Sequence, residues 1–182
     1  FVHQTAENQK YLFQFLIDSS AAKAYHLSLN LNSELNLDWE PNQIIDDLSP
    51  ERLLKEFKLL ELELLSKIRF AAPEDVEVVF NWANDKEVRE QSFSQDKIEF
   101  EDHKRWFLGK IEENSTEYFI ILSNEKPVGQ IRFEIKNSDA LISFLVSPDV
   151  RGVGWGSVIL KKGIKQLSAN RPEIKIVNGY VK

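Results

Sequence analysis

Along residues 67–182 the apolar positions change period several times, and each change marks an element. "KIRFAA" (67–72) reads as a short strand. "PEDVEVVFNWAND" opens on a proline suited to a first helical turn, then sets Val76, Val79, Phe80 and Trp82 on one face. "SFSQDKIEFEDHKRWFLGKIEEN" holds a second helix from about Phe100, with Trp106, Phe107 and Ile111 turned inward. "EYFIILSN" and "KPVGQIRFEIK" are strands joined by the turn "NEKP", and "ALISFLVS" is a third strand after the turn "KNSD". A glycine-rich turn then leads into the helical stretch "SVILKKGIKQLSA", and "EIKIVNGYVK" reads as a last strand. This order predicts an α+β (mixed α/β) fold. An antiparallel meander comes first, then a crossover helix to a parallel neighbour, giving a central mixed sheet flanked by helices.

The first part of the chain has a different texture, with a seam near Ser66 that divides it into residues 1–66 and 67–182. "TAENQKYLFQFLIDSS" (5–20) reads as a helix and "AYHLSL" (24–29) as a strand. "LDWEPNQIIDDL" reads as a turn and short helix, and "SPERLLKEFKLLELELLSK" as a long helix with Ser49 as cap and Pro50 in its first turn. One strand and two or three helices make only a partial α/β segment: the tail of a larger domain, or a helical dock for the second part.

Composition narrows the classes. A hydrophobic content of 42% with mixed charge is that of an ordinary globular chain, and an apolar run such as "YFIIL" is too short to span a bilayer. Zero cysteines exclude disulfides and thiolate metal sites and fit a cytoplasmic protein. A net charge of −6 speaks against a nucleic-acid partner. Against that acidic background, Arg151, Lys161, Lys162, Lys165 and Arg171 form a stretch with no acidic residue. Three of the seven glycines crowd into its first six positions, at 152, 154 and 156. A strand ending in a glycine turn that opens a helix offers free amides at the positive end of the helix dipole, which suits a phosphate. Arg151 adds a guanidinium fork for the same ligand. The spacing is neither G-x-x-x-x-G-K-[ST] nor placed after the first strand of a parallel unit, so nucleoside-triphosphate and dinucleotide loops are disfavoured. A simple tight turn is the plain alternative.

Arg151, Gly152-Val153, Gly154, Trp155, Gly156, placed after "FLVSPDV", resembles the signature of the GNAT N-acyltransferase superfamily. The resemblance covers about residues 67–182, including the element order. It implies that acetyl-coenzyme A is the cosubstrate, with no metal. It also implies that the loop beginning at Gly152 holds the diphosphate through the amides of Val153, Gly154, Trp155, Gly156 and Ser157, with Trp155 at the exposed edge of the loop. The backbone near Leu145 and Val146 would pair with the pantetheine arm. An amine attacking a thioester must be neutral, so a proton acceptor is needed. On "GQIRFEI" the two-residue period puts Gln130, Arg132 and Glu134 on one face and Ile131, Phe133 and Ile135 on the other. Glu134 is the catalytic candidate; a strand carboxylate paired with Arg132 is the alternative.

A narrower resemblance lies in "WANDKEVREQSF" and "EDHKRWF". They are similar to the members of that superfamily that acetylate nucleotide-linked amino sugars in pseudaminic- or legionaminic-type sugar synthesis. The matching positions are Trp82, Asn84, Asp85, Arg89, Ser92, His103, Trp106 and Phe107. They imply a small-molecule amino-sugar nucleotide held by Trp82, Asn84, Arg89, Ser92 and His103, although Trp82, Trp106, Phe107 and His103 also suit a core. "TAENQKYLFQFLI", with Asn8 and Gln9, resembles a segment late in the nucleotide-sugar hydrolase of the same pathway, which implies a fusion fragment or remnant in residues 1–66. The superfamily continues past the last strand with an Asn-bearing loop, a helix and a strand. Here the chain stops at Lys182, which implies a trimmed end or a homodimer that completes the sheet, while the match of residues 1–66 to only the end of the hydrolase implies a missing hydrolase half. The absence of cysteine favours direct amine attack over an acyl-enzyme. A non-catalytic acyl-coenzyme A or nucleotide-sugar binding module and a protein N-terminal acetyltransferase are the competing readings.

Overall fold

The computed structural model describes residues 2–4, 10–18, 23–30, 43–45, 50–92 and 94–180, the first four segments and parts of 50–57 as backbone only. The chain forms two compact units, Phe1–Glu61 and Leu62–Lys182.

In the first unit β1 (Val2–Gln4), β2 (Lys10–Asp18), β3 (Lys23–Asn30) and β4 (Gln43–Ile45) pair in sequence order, all antiparallel. The helix expected over 5–20 is therefore corrected to a strand, and the expected short helix around "NQII" to strand β4. "KYLFQFLID" is rich in aromatic and branched residues that fit a pleated surface, and that preference outweighs a helical spacing its short apolar run matches equally well. The partial α/β segment gives way to an antiparallel meander followed by α1 (Pro50–Leu64). Asn8, Gln9 and Ser49 lie outside the described residues.

The second unit is the expected mixed sheet. β5 (Ser66–Phe70), β6 (Thr116–Ser123), β7 (Lys126–Lys136), β8 (Asp139–Val146) and β9 (Ile176–Asn178) lie in that order, antiparallel except for the parallel β8–β9 pair. The β6–β7 hairpin closes on Asn124 and Glu125, both with positive φ (48° and 61°), the conformation that suits the twist of a two-residue turn. Helices α2 (Val76–Ala83), α3 (Lys86–Gln91) and α4 (Phe100–Glu112) connect β5 to β6, and α5 (Trp155–Asn170) connects β8 to β9. The short helix α3 was not foreseen. Among the described residues no helix is long and apolar enough to cross a membrane.

The interior strand β6 is buried on both faces, as its unbroken apolar run requires. Tyr118, Ile120 and Leu122 meet Val79 and Trp82 of α2 and Phe107 of α4 in one core. On β7 the two-residue alternation places Ile131 and Phe133 in full burial, against the side covered by α5. The same alternation turns Gln130, Arg132 and Glu134 toward α4. Trp106 departs from expectation. It is 39% exposed rather than inward, because its ring lies over the Arg132 guanidinium (4.8 Å) at the edge of the α4 contact.

Candidate active site

A cavity of about 960 Å³ opens between β7–β8 on one side and α2, α3 and α4 on the other. Its size is that of a small-molecule or cofactor site. The pairing pattern creates it. β9 pairs with β8 only through Asp139–Leu141, so on that side the β8 edge from Ile142 to Val146 has no strand partner among the described residues. All five of those residues line the cavity, Leu145 and Val146 included, and the open edge offers backbone donors and acceptors to an extended ligand.

β8 is followed by Ser147, whose N–H donates to the Val128 carbonyl (2.9 Å) and whose own carbonyl accepts from Val150 (3.1 Å). Gly152 and Gly154 then take positive φ (78° and 106°), the left-handed region that a side chain disfavours. A Cβ at Gly152 would meet nothing within 4 Å, so open space lies beside the turn. The first amides of α5 have no carbonyl one turn earlier to bond, and this end of the helix carries partial positive charge. Ser157 N–H closes the turn on the Gly154 carbonyl (3.1 Å). Val153 is exposed at the apex. Trp155 is corrected: it is 4% exposed and buried rather than at the loop's edge. It begins the apolar stripe that Val158 and Ile159 continue at helical spacing.

The fork of Arg151 is already occupied. Its Nη2 donates to Asp85 Oδ1 (2.7 Å) and its Nη1 to Glu87 Oε2 (2.6 Å), and the first of these bonds holds the Asp85 carboxyl below its ordinary pKa. Two other members of the basic stretch are also paired: Lys161 with Glu63 and Arg171 with Glu117. The free positive island read from the sequence is thus largely neutralised by partners remote in the chain.

On the opposite wall, Arg89, Ser92 and His103 reach the cavity, whereas Trp82, Asn84 and Glu134 do not. Trp82 is a core residue. Asn84 clamps the segment before α4: its Nδ2 donates to the Ile98 carbonyl (3.0 Å) and its Oδ1 accepts from Ile98 N–H (2.8 Å). Glu134 pairs with Arg132 (2.9 Å) and Lys110 (3.3 Å), the bland arrangement for a strand carboxylate. Arg89 donates to Ser92 Oγ (2.8 Å) and the Asp96 carbonyl (3.2 Å). His103 is 3% exposed, packed among Phe80, Trp106 and Phe107, and burial pushes its pKa below the ordinary value.

Three buried side-chain nitrogens lack a hydrogen-bond partner among the described residues: Arg89 Nε, His103 Nε2 and Arg132 Nε. All three residues line this one cavity. Buried polar atoms are ordinarily satisfied, by protein, by water or by a ligand, so three orphans in residues around one space set this wall apart from the rest of the described core. Arg132, Trp106 and Gln130 were not predicted as site residues. Gln130 accepts a hydrogen bond from the buried Tyr118 hydroxyl, and Arg132 sits between the Trp106 and Tyr118 rings (4.8 and 5.7 Å). Their shared face on β7 was legible from the alternation, but the depth of the cavity was not.

The profile of the acetyltransferase (GNAT) family matches residues 76–176, more than half of the chain. Acetyltransferase PseH of Campylobacter jejuni is 24% identical over 109 residues, which cover 59% of this chain and 67% of that protein. The spermidine N-acetyltransferase of Vibrio cholerae, solved with CoA and spermine, superposes with a TM-score of 0.58 at 15% identity, over 65% of this chain and 72% of its own. An N-acetyltransferase of Staphylococcus aureus Mu50 gives a TM-score of 0.54 at 19% identity, over 64% and 73%. At these identities the two structures agree with this chain in fold.

Proposed function

The chain belongs to the acetyltransferase (GNAT) family, and on that premise we propose that it transfers the acetyl group of acetyl-coenzyme A to the amino group of a nucleotide-linked deoxyamino sugar. The observation that carries the acceptor half is the trio of orphaned nitrogens. Two guanidinium groups, each with an unused Nε–H, favour an acceptor bearing anionic oxygen, such as a nucleotide diphosphate, and disfavour a polyamine. Trp106, half-exposed on the cavity wall and backed by Arg132, suits a sugar face or a base. The similarity to PseH and the matches at Arg89, Ser92, His103 and Trp106 support the same class.

For the cosubstrate, the amides from Val153 to Gly156 are proposed to hold the diphosphate, Ser157 N–H being spent on the Gly154 carbonyl, and the free edge at Leu145 and Val146 the pantetheine arm. In this role the main chain binds, while Arg151 is engaged elsewhere. The neutral amine attacks the thioester carbonyl carbon and the coenzyme thiolate leaves. The proton of the new ammonium passes to His103 Nε2, the buried imidazole that stays in its basic form. Glu134, held by Arg132 and Lys110, orients Arg132 in this reading.

The test is release of free thiol from acetyl-coenzyme A with a panel of amines. Turnover is expected with nucleotide-linked deoxyamino sugars, and not with spermidine or a peptide N-terminus. Turnover with spermidine alone would reverse the acceptor assignment, and coenzyme binding without turnover on any amine would favour a binding module. Gly154→Val is expected to weaken coenzyme A binding by about tenfold or more, because a branched side chain is strained at φ 106° and the turn must shift to relieve it. Unchanged affinity by calorimetry would contradict this use of the turn.

A further inference from the structure

Arg151 belongs to the glycine turn by chain and to the opposite cavity wall by contact. Its two partners, Asp85 and Glu87, lie 66 and 64 residues earlier, at the start of α3. Asp85 also accepts from Val88 N–H (3.3 Å), so the carboxylate that caps α3 is the one that holds the turn. This matters because α3 has six residues, none of them buried. A helix that short and that exposed has little stability of its own and depends on its ties. At its far end Arg89 bonds Ser92, and at its near end the tie is Arg151. Arg89 and Ser92 both face the cavity.

We infer that Asp85 and Glu87 are positioning residues which, through Arg151, couple loading of the coenzyme at the glycine turn to the placement of α3 on the acceptor wall. The inference rests on the proposed use of that turn by the coenzyme. Fixing the turn around a diphosphate fixes the backbone that carries Arg151. The guanidinium then presents a steadier anchor to the two carboxylates, and α3 is held with it. Coupling of this kind is reciprocal, so weakening the tie costs coenzyme affinity by the factor it costs α3. Both terminal nitrogens of Arg151 are spent on the carboxylates, which fits a strut better than a phosphate ligand.

The experiment uses the full chain with coenzyme A as the probe. Hydrogen exchange is followed across residues 85–92, with calorimetry alongside, in the wild type, Asp85→Asn and Glu87→Gln. Asparagine keeps the cap and removes only the charge. Saturating coenzyme A is expected to slow exchange of the α3 amides in the wild type by about fivefold, the scale of a partly exposed ion-pair network. In both variants that protection is expected to shrink below about twofold, and coenzyme affinity to fall by a similar factor. Three results would overturn the inference: α3 exchange indifferent to coenzyme A in the wild type, undiminished protection in the variants, or tighter coenzyme binding in the variants. The last would mean the carboxylates compete with the diphosphate for Arg151. A wild type that takes up no coenzyme A would overturn the coenzyme reading itself, and the inference with it.

Discussion

His103→Gln is expected to lower kcat by about 10²- to 10⁴-fold while leaving the fold intact. The imidazole is 3% exposed and wedged among Phe80, Trp106 and Phe107 (ring centroids 5.5, 5.4 and 6.2 Å), so its orientation is fixed by packing. Glutamine retains a polar end of similar reach and loses the basicity. The pH profile carries a second signature. Burial lowers the pKa of His103, so the folded protein keeps the imidazole neutral to a lower pH than the unfolded chain does. Activity of the wild type should therefore hold through neutral pH and fall on an acid limb below about 6.5, the ordinary histidine value. Stability should decline in the same direction. The unfolded chain takes up the proton first, so the contribution of the neutral imidazole is full above the unfolded value and is lost as pH drops through the folded one. The variant should lack the acid limb. A kcat within about threefold of wild type would remove His103 from proton transfer. Glu134→Gln is the counter-test, since an equal loss there would return that role to the carboxylate.

The sequence was informative where one period governs one element. On β7 the alternation sorted Ile131 and Phe133 from Gln130, Arg132 and Glu134, and the core and cavity faces divide along that line. The glycine turn was legible because three glycines outside any helical or strand period require a backbone reason. β2 was misread because "KYLFQFLID" fits both periods over nine residues, and only its aromatic and branched content separates them. Trp155 was misplaced because the turn drew it outward, although its spacing to Val158 and Ile159 already marked an apolar stripe. Two features lay beyond any local reading. The partners of Arg151 are more than sixty residues distant, and an orphaned nitrogen is defined by burial that only the assembled sheet and helices create.

Gly129→Ala is expected to cost about 1–3 kcal/mol, seen as a fall in Tm of roughly 4–12 °C. Gly129 lies on β7 opposite Val146, where the open edge of β8 ends. A Cβ there would stand 2.4 Å from Ile159 Cδ1 and 2.6 Å from the Leu145 carbonyl oxygen. The isoleucine end can rotate away. The carbonyl cannot, because it belongs to the strand whose spacing defines the cavity wall. Relief therefore requires β8 to move off β7 at Leu145, the point proposed to meet the pantetheine arm, so coenzyme affinity should fall along with stability. Gly109→Ala supplies the internal control. It lies on α4, a Cβ there would meet nothing within 4 Å, and helix propensity alone predicts a gain of about 0.5–1 kcal/mol. If thermal melting placed the two alanine variants together at or above wild type, the close approach of α5 and β8 at Gly129 would be adaptable, and strand spacing could not be what shapes the cosubstrate slot.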